Sequence, residues 1–230
     1  MTTLYGVELT VLDDEEAAAS AVADLLVEAA RAGQAIALTG GGSPGRAYEL
    51  AAEREPDWSG ATLWWGDERC VPPDDERSNY RLAREKLLNG LSAQPRAAHR
   101  IRGELGAEAA AAEYDEALTG ASLDLVLLGI GPDGHVASLF PGQATLDERE
   151  RRAIPAEAKL EPFVDRVTMT LPVLCSAPEV LFIATGDAKA GAVGRAFGSP
   201  PSPDTPASLV RSASGRTRVV TDAAAATVLR

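Results

Sequence analysis

Four times in this chain a short apolar run ends in a glycine-containing turn. AIALT at 35–39 leads into Gly40-Gly41-Gly42-Ser43-Pro44-Gly45, and ATLWW at 61–65 into Gly66-Asp67-Glu68-Arg69. LDLVLLGI at 123–130 leads into Gly131-Pro132-Asp133-Gly134-His135, and VLFIAT at 180–185 into Gly186-Asp187-Ala188-Lys189. Short, nearly continuous apolar runs suit strands covered on both faces of a sheet. Between them lie helical patterns at 17–32, 46–54, 79–88, 108–118 and 188–197; the first places Val22, Leu25, Leu26 and Ala29 on one face behind an acidic turn at Asp13 to Glu16. Further strands are predicted at 167–171 and 219–221. Such alternation calls for a mostly parallel sheet, because parallel neighbours need a crossover and that crossover is usually a helix. The expected fold is an α/β domain. The four Pro of 198–206 predict a surface loop.

The chain has 230 residues, enough for a single α/β domain over 1–230 with a substantial core. Its hydrophobic fraction of 45% is rich in Ala, which favours helices packed closely on a sheet. Asp and Glu number 34 against 22 Lys and Arg, a net charge of -12 that opposes general binding to nucleic acid or an anionic membrane. An anionic ligand therefore needs a local basic pocket. Cys70 and Cys175 lie far apart and have no metal-site spacing, which fits a reducing compartment. The N-terminus has no secretory pattern and no run is long and apolar enough for a membrane span, so a soluble cytoplasmic protein is expected.

In an open parallel sheet ligands bind beyond the carboxyl ends of the strands, which directs attention to the four turns. The first could cradle an anion, its glycines letting backbone N–H groups approach and its helix start adding a positive dipole end, with Ser43 as a further donor. A tight strand-to-helix turn without any ligand accounts for the same glycines. G-x-G-x-x-G fits twice, from Gly40 and from Gly129, with Pro44 and Pro132 inside the hits; a nicotinamide cofactor is disfavoured. His135 could serve as a general base near neutral pH, although an ordinary packed His would also fit. His99, in a polar stretch, reads as structural or solvated, and two isolated His make no metal site. Lys189 is one of only three Lys (Lys86, Lys159, Lys189) and stands at a helix start, where a cation opposes the dipole unless an anion joins it. Arg69 could simply pair with Asp67 and Glu68.

Taken together, LTGGGSPGRAYELAA, WWGDERCVPPDDERSNYRLAREKLL, LGIGPDGHVASLFPG and RVTMTLPVLCSAPEVLFIATGDAKA, with PASLV and DAAAA, resemble the 6-phosphogluconolactonase family in its own order over almost the whole chain. The resemblance implies a three-layer α/β/α domain with a Rossmann-like sheet, shared with glucosamine-6-phosphate deaminases. It also implies hydrolysis of a phosphorylated sugar lactone without metal or organic cofactor, by a monomer or weak homo-oligomer. Carried over by position, His135 is the catalytic base and Asp133 orders the site. Arg69 and Lys189 hold the substrate phosphate with Gly41, Gly42 and Ser43, while Asp67 and Asn79 line the pocket. The deaminases share these turns but place an acid-base Glu where this chain has Phe140, which weakens that alternative. A non-catalytic sugar-phosphate regulator is the remaining alternative, and the retention of His135 with both cations argues against it.

Overall fold

The computed structural model describes residues 2–229. Strands β1 (Thr2–Leu4) and β2 (Val7–Leu12) open the chain, followed by α1 (Glu15–Arg31), β3 (Ala35–Leu38), α2 (Gly42–Arg54), β4 (Thr62–Trp65) and β5 (Asp67–Arg69). Next come α3 (Asn79–Lys86), β6 (Ala97–His99), α4 (Ala107–Ala117), β7 (Leu125–Leu128), β8 (Ala153–Ala156) and β9 (Arg166–Met169). The chain then forms α5 (Leu171–Ser176), β10 (Glu179–Ala184), α6 (Ala190–Phe197) and β11 (Arg216–Asp222). Eight strands build the main sheet in the order β1-β2-β11-β10-β7-β3-β4-β6, parallel throughout except for the β1–β2 pair. A second, antiparallel sheet has the order β5-β9-β8.

Every residue of β4 (TLWW) and β7 (LVLL) is buried, so the centre of the main sheet is covered on both faces, as α/β layering requires. Helices α1 and α2 pack on one another and α4 packs against β8. The start of α1 follows from its cap: the Asp14 carboxylate accepts a hydrogen bond from the Ala17 N–H at 2.8 Å, and Glu15 and Glu16 meet the positive end of the dipole.

Two buried tyrosines fasten the ends of strands that face the site. The Tyr48 hydroxyl donates to the Thr39 carbonyl at 2.7 Å and accepts from the Thr39 N–H at 3.0 Å, just beyond β3. Tyr114 does the same for Trp65 at the end of β4, with both bonds at 2.9 Å. Each hydroxyl satisfies two main-chain groups that water does not reach. Tyr48→Phe and Tyr114→Phe are each expected to lower unfolding free energy by about 1–3 kcal/mol, because the buried partners stay unsatisfied; denaturant titration reads the loss directly.

Several elements differ from the sequence reading. Helix α2 begins at Gly42 rather than at 46, with Gly41 (φ 115°) as its N-cap and Pro44 in its first turn, so the glycine turn is itself the start of the helix. The strand expected at 167–171 ends at Met169, where Leu171 and Pro172 open α5. The Pro-rich 198–206 segment is not wholly superficial: Thr205 is buried against Gly134, and the neighbouring Ala207 N–H bonds the Gly134 carbonyl at 3.0 Å.

Candidate active site

Strand β7 lies between β10 and β3, and the chain leaves these two neighbours toward opposite edges of the sheet. A crevice opens at such a switch point, beyond the carboxyl ends of the strands. Here the turns after β3, β4, β7 and β10 surround a cavity of about 380 Å³. Gly41, Gly42, Ser43, Asp67, Arg69, Asn79, His135 and Lys189 all line it. Asp133 stands behind the cavity wall and reaches it through His135.

One side of the cavity is formed by α2 and β10. The first-turn N–H groups of a helix have no intrahelical acceptor, and the first two residues of α2, Gly42 and Ser43, belong to the lining. The Ser43 and Thr185 hydroxyls lie 2.6 Å apart and join α2 to the end of β10. Lys189 follows on a single 3₁₀ turn, and its Nζ donates to the Ile130 carbonyl at 2.8 Å. Burial lowers the Lys189 pKa, while the Asp133 charge acts in the opposite sense.

The opposite side comes from β5, α3 and β9. Asp67 is buried; its Oδ1 accepts from Asn79 Nδ2 at 3.0 Å and its Oδ2 from the Ser138 hydroxyl at 2.6 Å. Asn79 also fills the space over Gly40, where a Cβ would come within 1.9 Å of Asn79 Oδ1. Glu68 points the other way and organises the backbone. Its carboxylate accepts from the N–H groups of Arg69, Asn79 and Tyr80 and from the Ser78 hydroxyl, so it holds the start of α3 against β5. Burial pushes the Glu68 pKa up, with those hydrogen bonds acting against it.

Arg69 pairs with neither Asp67 nor Glu68. Its Nη1 donates to the Arg77 carbonyl at 2.6 Å, and the β5–β9 register sets it directly opposite Arg166. Arg166, a residue the sequence reading passed over, also lines the cavity; its Nη2 makes only long contacts with the Leu160 and Pro162 carbonyls, at 3.5 and 3.3 Å. Both Arg69 Nε and Arg166 Nε are buried without a hydrogen-bond partner. Burial, reinforced by the Arg69 charge, lowers the Arg166 pKa. Two adjacent guanidiniums in the cavity lining form a place for an anion.

His135 lies between these sides. Its Nδ1 is 2.6 Å from Asp133 Oδ1, which also accepts the His135 main-chain N–H at 3.1 Å. The carboxylate therefore keeps the proton on Nδ1 and leaves Nε2 as the basic nitrogen. Burial lowers the His135 pKa below its usual 6.5, and Asp133 opposes that shift. The Phe140 ring packs on the imidazole with centroids 4.6 Å apart. His99 is remote from this cavity, stacked at 4.1 Å on Trp64 along the edge strand β6.

Fold and site together define a class: an α/β protein with an anion-receiving crevice at a topological switch point, containing an Asp–His pair between Lys189 on one side and Arg69 with Arg166 on the other. The model of the glucosamine-6-phosphate isomerases/6-phosphogluconolactonase family matches residues 13–219, and the chain belongs to that family. It is 36% identical to a 6-phosphogluconolactonase of Streptomyces coelicolor, over 96% of this chain and 94% of that protein. The solved structure of a protein called devB superposes with a TM-score of 0.87 at 30% identity, covering 97% of this chain and 100% of that one. A monomeric glucosamine-6-phosphate deaminase superposes with a TM-score of 0.85 over 96% of this chain and 100% of its own. At 19% identity that likeness concerns the fold alone.

Proposed function

We propose that this protein hydrolyses 6-phospho-D-glucono-1,5-lactone to 6-phospho-D-gluconate, the lactone-opening step of the pentose phosphate pathway, with His135 as general base. The enzyme is a carboxylic ester hydrolase. The observation that carries this reading is the Asp133–His135 pair at 2.6 Å, facing the cavity with the Phe140 ring against it. An acid-base carboxylate at position 140 would suit amino-sugar deamination; this chain has an aromatic ring there, packed on the histidine. In the reaction Nε2 accepts a proton from water as its oxygen attacks the lactone carbonyl carbon. When the tetrahedral intermediate collapses, the ring C–O bond breaks and the imidazolium returns the proton to the leaving oxygen.

The substrate phosphate is assigned to the α2 side, where Gly41, Gly42 and Ser43 present helix N-terminal donors and Lys189 supplies the charge. Arg69 is placed with Arg166 instead, at the acyl end. Their guanidinium charges would stabilise the negative charge that builds on the carbonyl oxygen in the tetrahedral intermediate, and then the carboxylate left once the product acid has lost its proton to solvent. Asp67 and Asn79 order that wall. The whole of 1–230 is read as one domain, working in the cytoplasm as a monomer or weak oligomer, consistent with two free, partly buried thiols, Cys70 and Cys175. No helix among the described residues is long and apolar enough to cross a membrane.

The test is the rate of 6-phosphogluconate release from freshly made lactone with and without the protein, beside ammonia release from glucosamine 6-phosphate. Acceleration in the first alone supports the reading; ammonia release moves the site to deaminase chemistry. Arg166→Met is expected to lower kcat by ~10- to 100-fold with a smaller change in KM, because the charge it meets is largest in the transition state. Steady-state kinetics on that variant separates the two parameters.

A further inference from the structure

The turn that carries His135 is tied down by three bonds from the α6 side, and they fall on alternate carbonyls. Arg195 Nη2 donates to Pro132 O at 2.8 Å, the Ala207 N–H donates to Gly134 O at 3.0 Å, and Lys189 Nζ donates to Ile130 O at 2.8 Å. The first two come from an exposed arginine and from main chain, outside the cavity. Only the third comes from a cavity cation. Its acceptor also has a special place, because the Ile130 carbonyl and the Gly131 N–H belong to one peptide unit. That N–H donates to the His135 carbonyl at 2.9 Å. The imidazole itself rests on Gly131, where a Cβ would lie 2.0 Å from His135 Nδ1. A single rigid peptide thus has Lys189 at one end and His135 at the other.

Resting on the proposed lactonase activity, we infer that Lys189 is a positioning residue as well as a phosphate ligand: anion binding on Lys189 locks the 130–131 peptide and through it the general base. An ammonium carries three donors, and Ile130 O is the one acceptor that Lys189 meets among the described residues. A phosphate oxygen can occupy another donor without displacing that carbonyl. Half-buried Lys189 has a single hydrogen bond to protein among the described residues, a tether that thermal motion opens more readily than a bridged one. A dianion fixed by the α2 N-terminus and Ser43 holds the ammonium in place, and binding energy from the non-reacting end of the substrate then appears in kcat as well as in KM. The Asp133 carboxylate acts on Lys189 through its charge and is itself bonded to His135, so the cation and the base share one neighbour.

This coupling is tested by cutting the substrate in two. Unphosphorylated glucono-1,5-lactone is offered with increasing inorganic phosphite, and the protein-free rate is subtracted at every phosphite concentration. The expected result is a saturable acceleration of about ten-fold or more by a piece that is not consumed. Lys189→Met should abolish the acceleration and, on the phosphorylated lactone, lower kcat as well as raise KM. If phosphite leaves the unphosphorylated reaction of the wild-type protein unchanged while the phosphorylated lactone is turned over normally, the coupling is wrong and the lactonase reading stands. A Lys189→Met effect confined to KM would also overturn it. Failure to turn over the phosphorylated lactone would instead remove the lactonase reading, and this inference with it.

Discussion

His135→Ala is expected to lower kcat on 6-phosphogluconolactone by ~100-fold or more, the range that a positioned general base contributes. KM should change far less, because the phosphate is assigned to Lys189 and the α2 turn rather than to the imidazole. Rates corrected for spontaneous lactone opening measure both, and full activity in the variant would remove His135 from the mechanism. The pH dependence follows from the same geometry. The base must be neutral to accept a proton, so the rate rises as pH climbs through the His135 pKa and then levels. Burial lowers that pKa below 6.5, which puts the rising limb on the acid side of an ordinary histidine and the plateau at neutral pH. Asp133 acts the other way by favouring the imidazolium. Asp133→Asn should therefore move the limb to still lower pH while lowering kcat, since the carboxylate that keeps the proton on Nδ1 is gone.

The parts of this site that were legible in the sequence are those set by local backbone requirements. Glycine turns after apolar strands declare themselves, because a tight turn and the approach of Asn79 to Gly40 or of His135 to Gly131 leave no room for a Cβ. The parts that were missed are created by pairing between distant segments. Strand β5 is only Asp67-Glu68-Arg69, with no apolar period at all, and it exists because β9 lies beside it. Arg166 reaches the cavity through that same pairing, about a hundred residues away from its partner Arg69, and nothing in RVTMT sets its first residue apart. Strand β8 contains a Pro and was hidden for that reason. By contrast β2 carried a signal that could have been used: Val7, Leu9 and Val11 alternate with Glu8 and Thr10, the pattern of a half-buried strand. The family resemblance implies that Arg69 joins Lys189 on the phosphate, and the proposal made above departs from it on the strength of the sheet order. That order sets Lys189 after β10, on one side of β7, and Arg69 beyond β4, on the other.

Gly131→Ala is expected to damage catalysis about as severely as removing the imidazole. The new Cβ would stand 2.0 Å from His135 Nδ1, 2.1 Å from Cε1 and 2.6 Å from Cγ, so the ring cannot stay where it is. The backbone itself gives no reason for trouble, since Gly131 is absent from the glycines with positive φ, unlike Gly134 at 95°. A side chain can rotate where a backbone cannot, and the conflict is resolved by the imidazole turning out of its place over Gly131. That rotation breaks the 2.6 Å bond to Asp133 and moves Nε2 away from the attacking water. The expected kcat loss is ~100-fold or more, because a base displaced from its substrate contributes no more than one deleted. KM should shift little, and thermal stability should fall by much less than for a core truncation, because the ring moves into a solvent-connected cavity rather than against packed neighbours. Kinetics beside a melting curve decides the matter: a kcat near wild type would show that the ring need not rest on Gly131, whereas a stable protein with an intact KM and a collapsed kcat would place the glycine's whole effect on the position of His135.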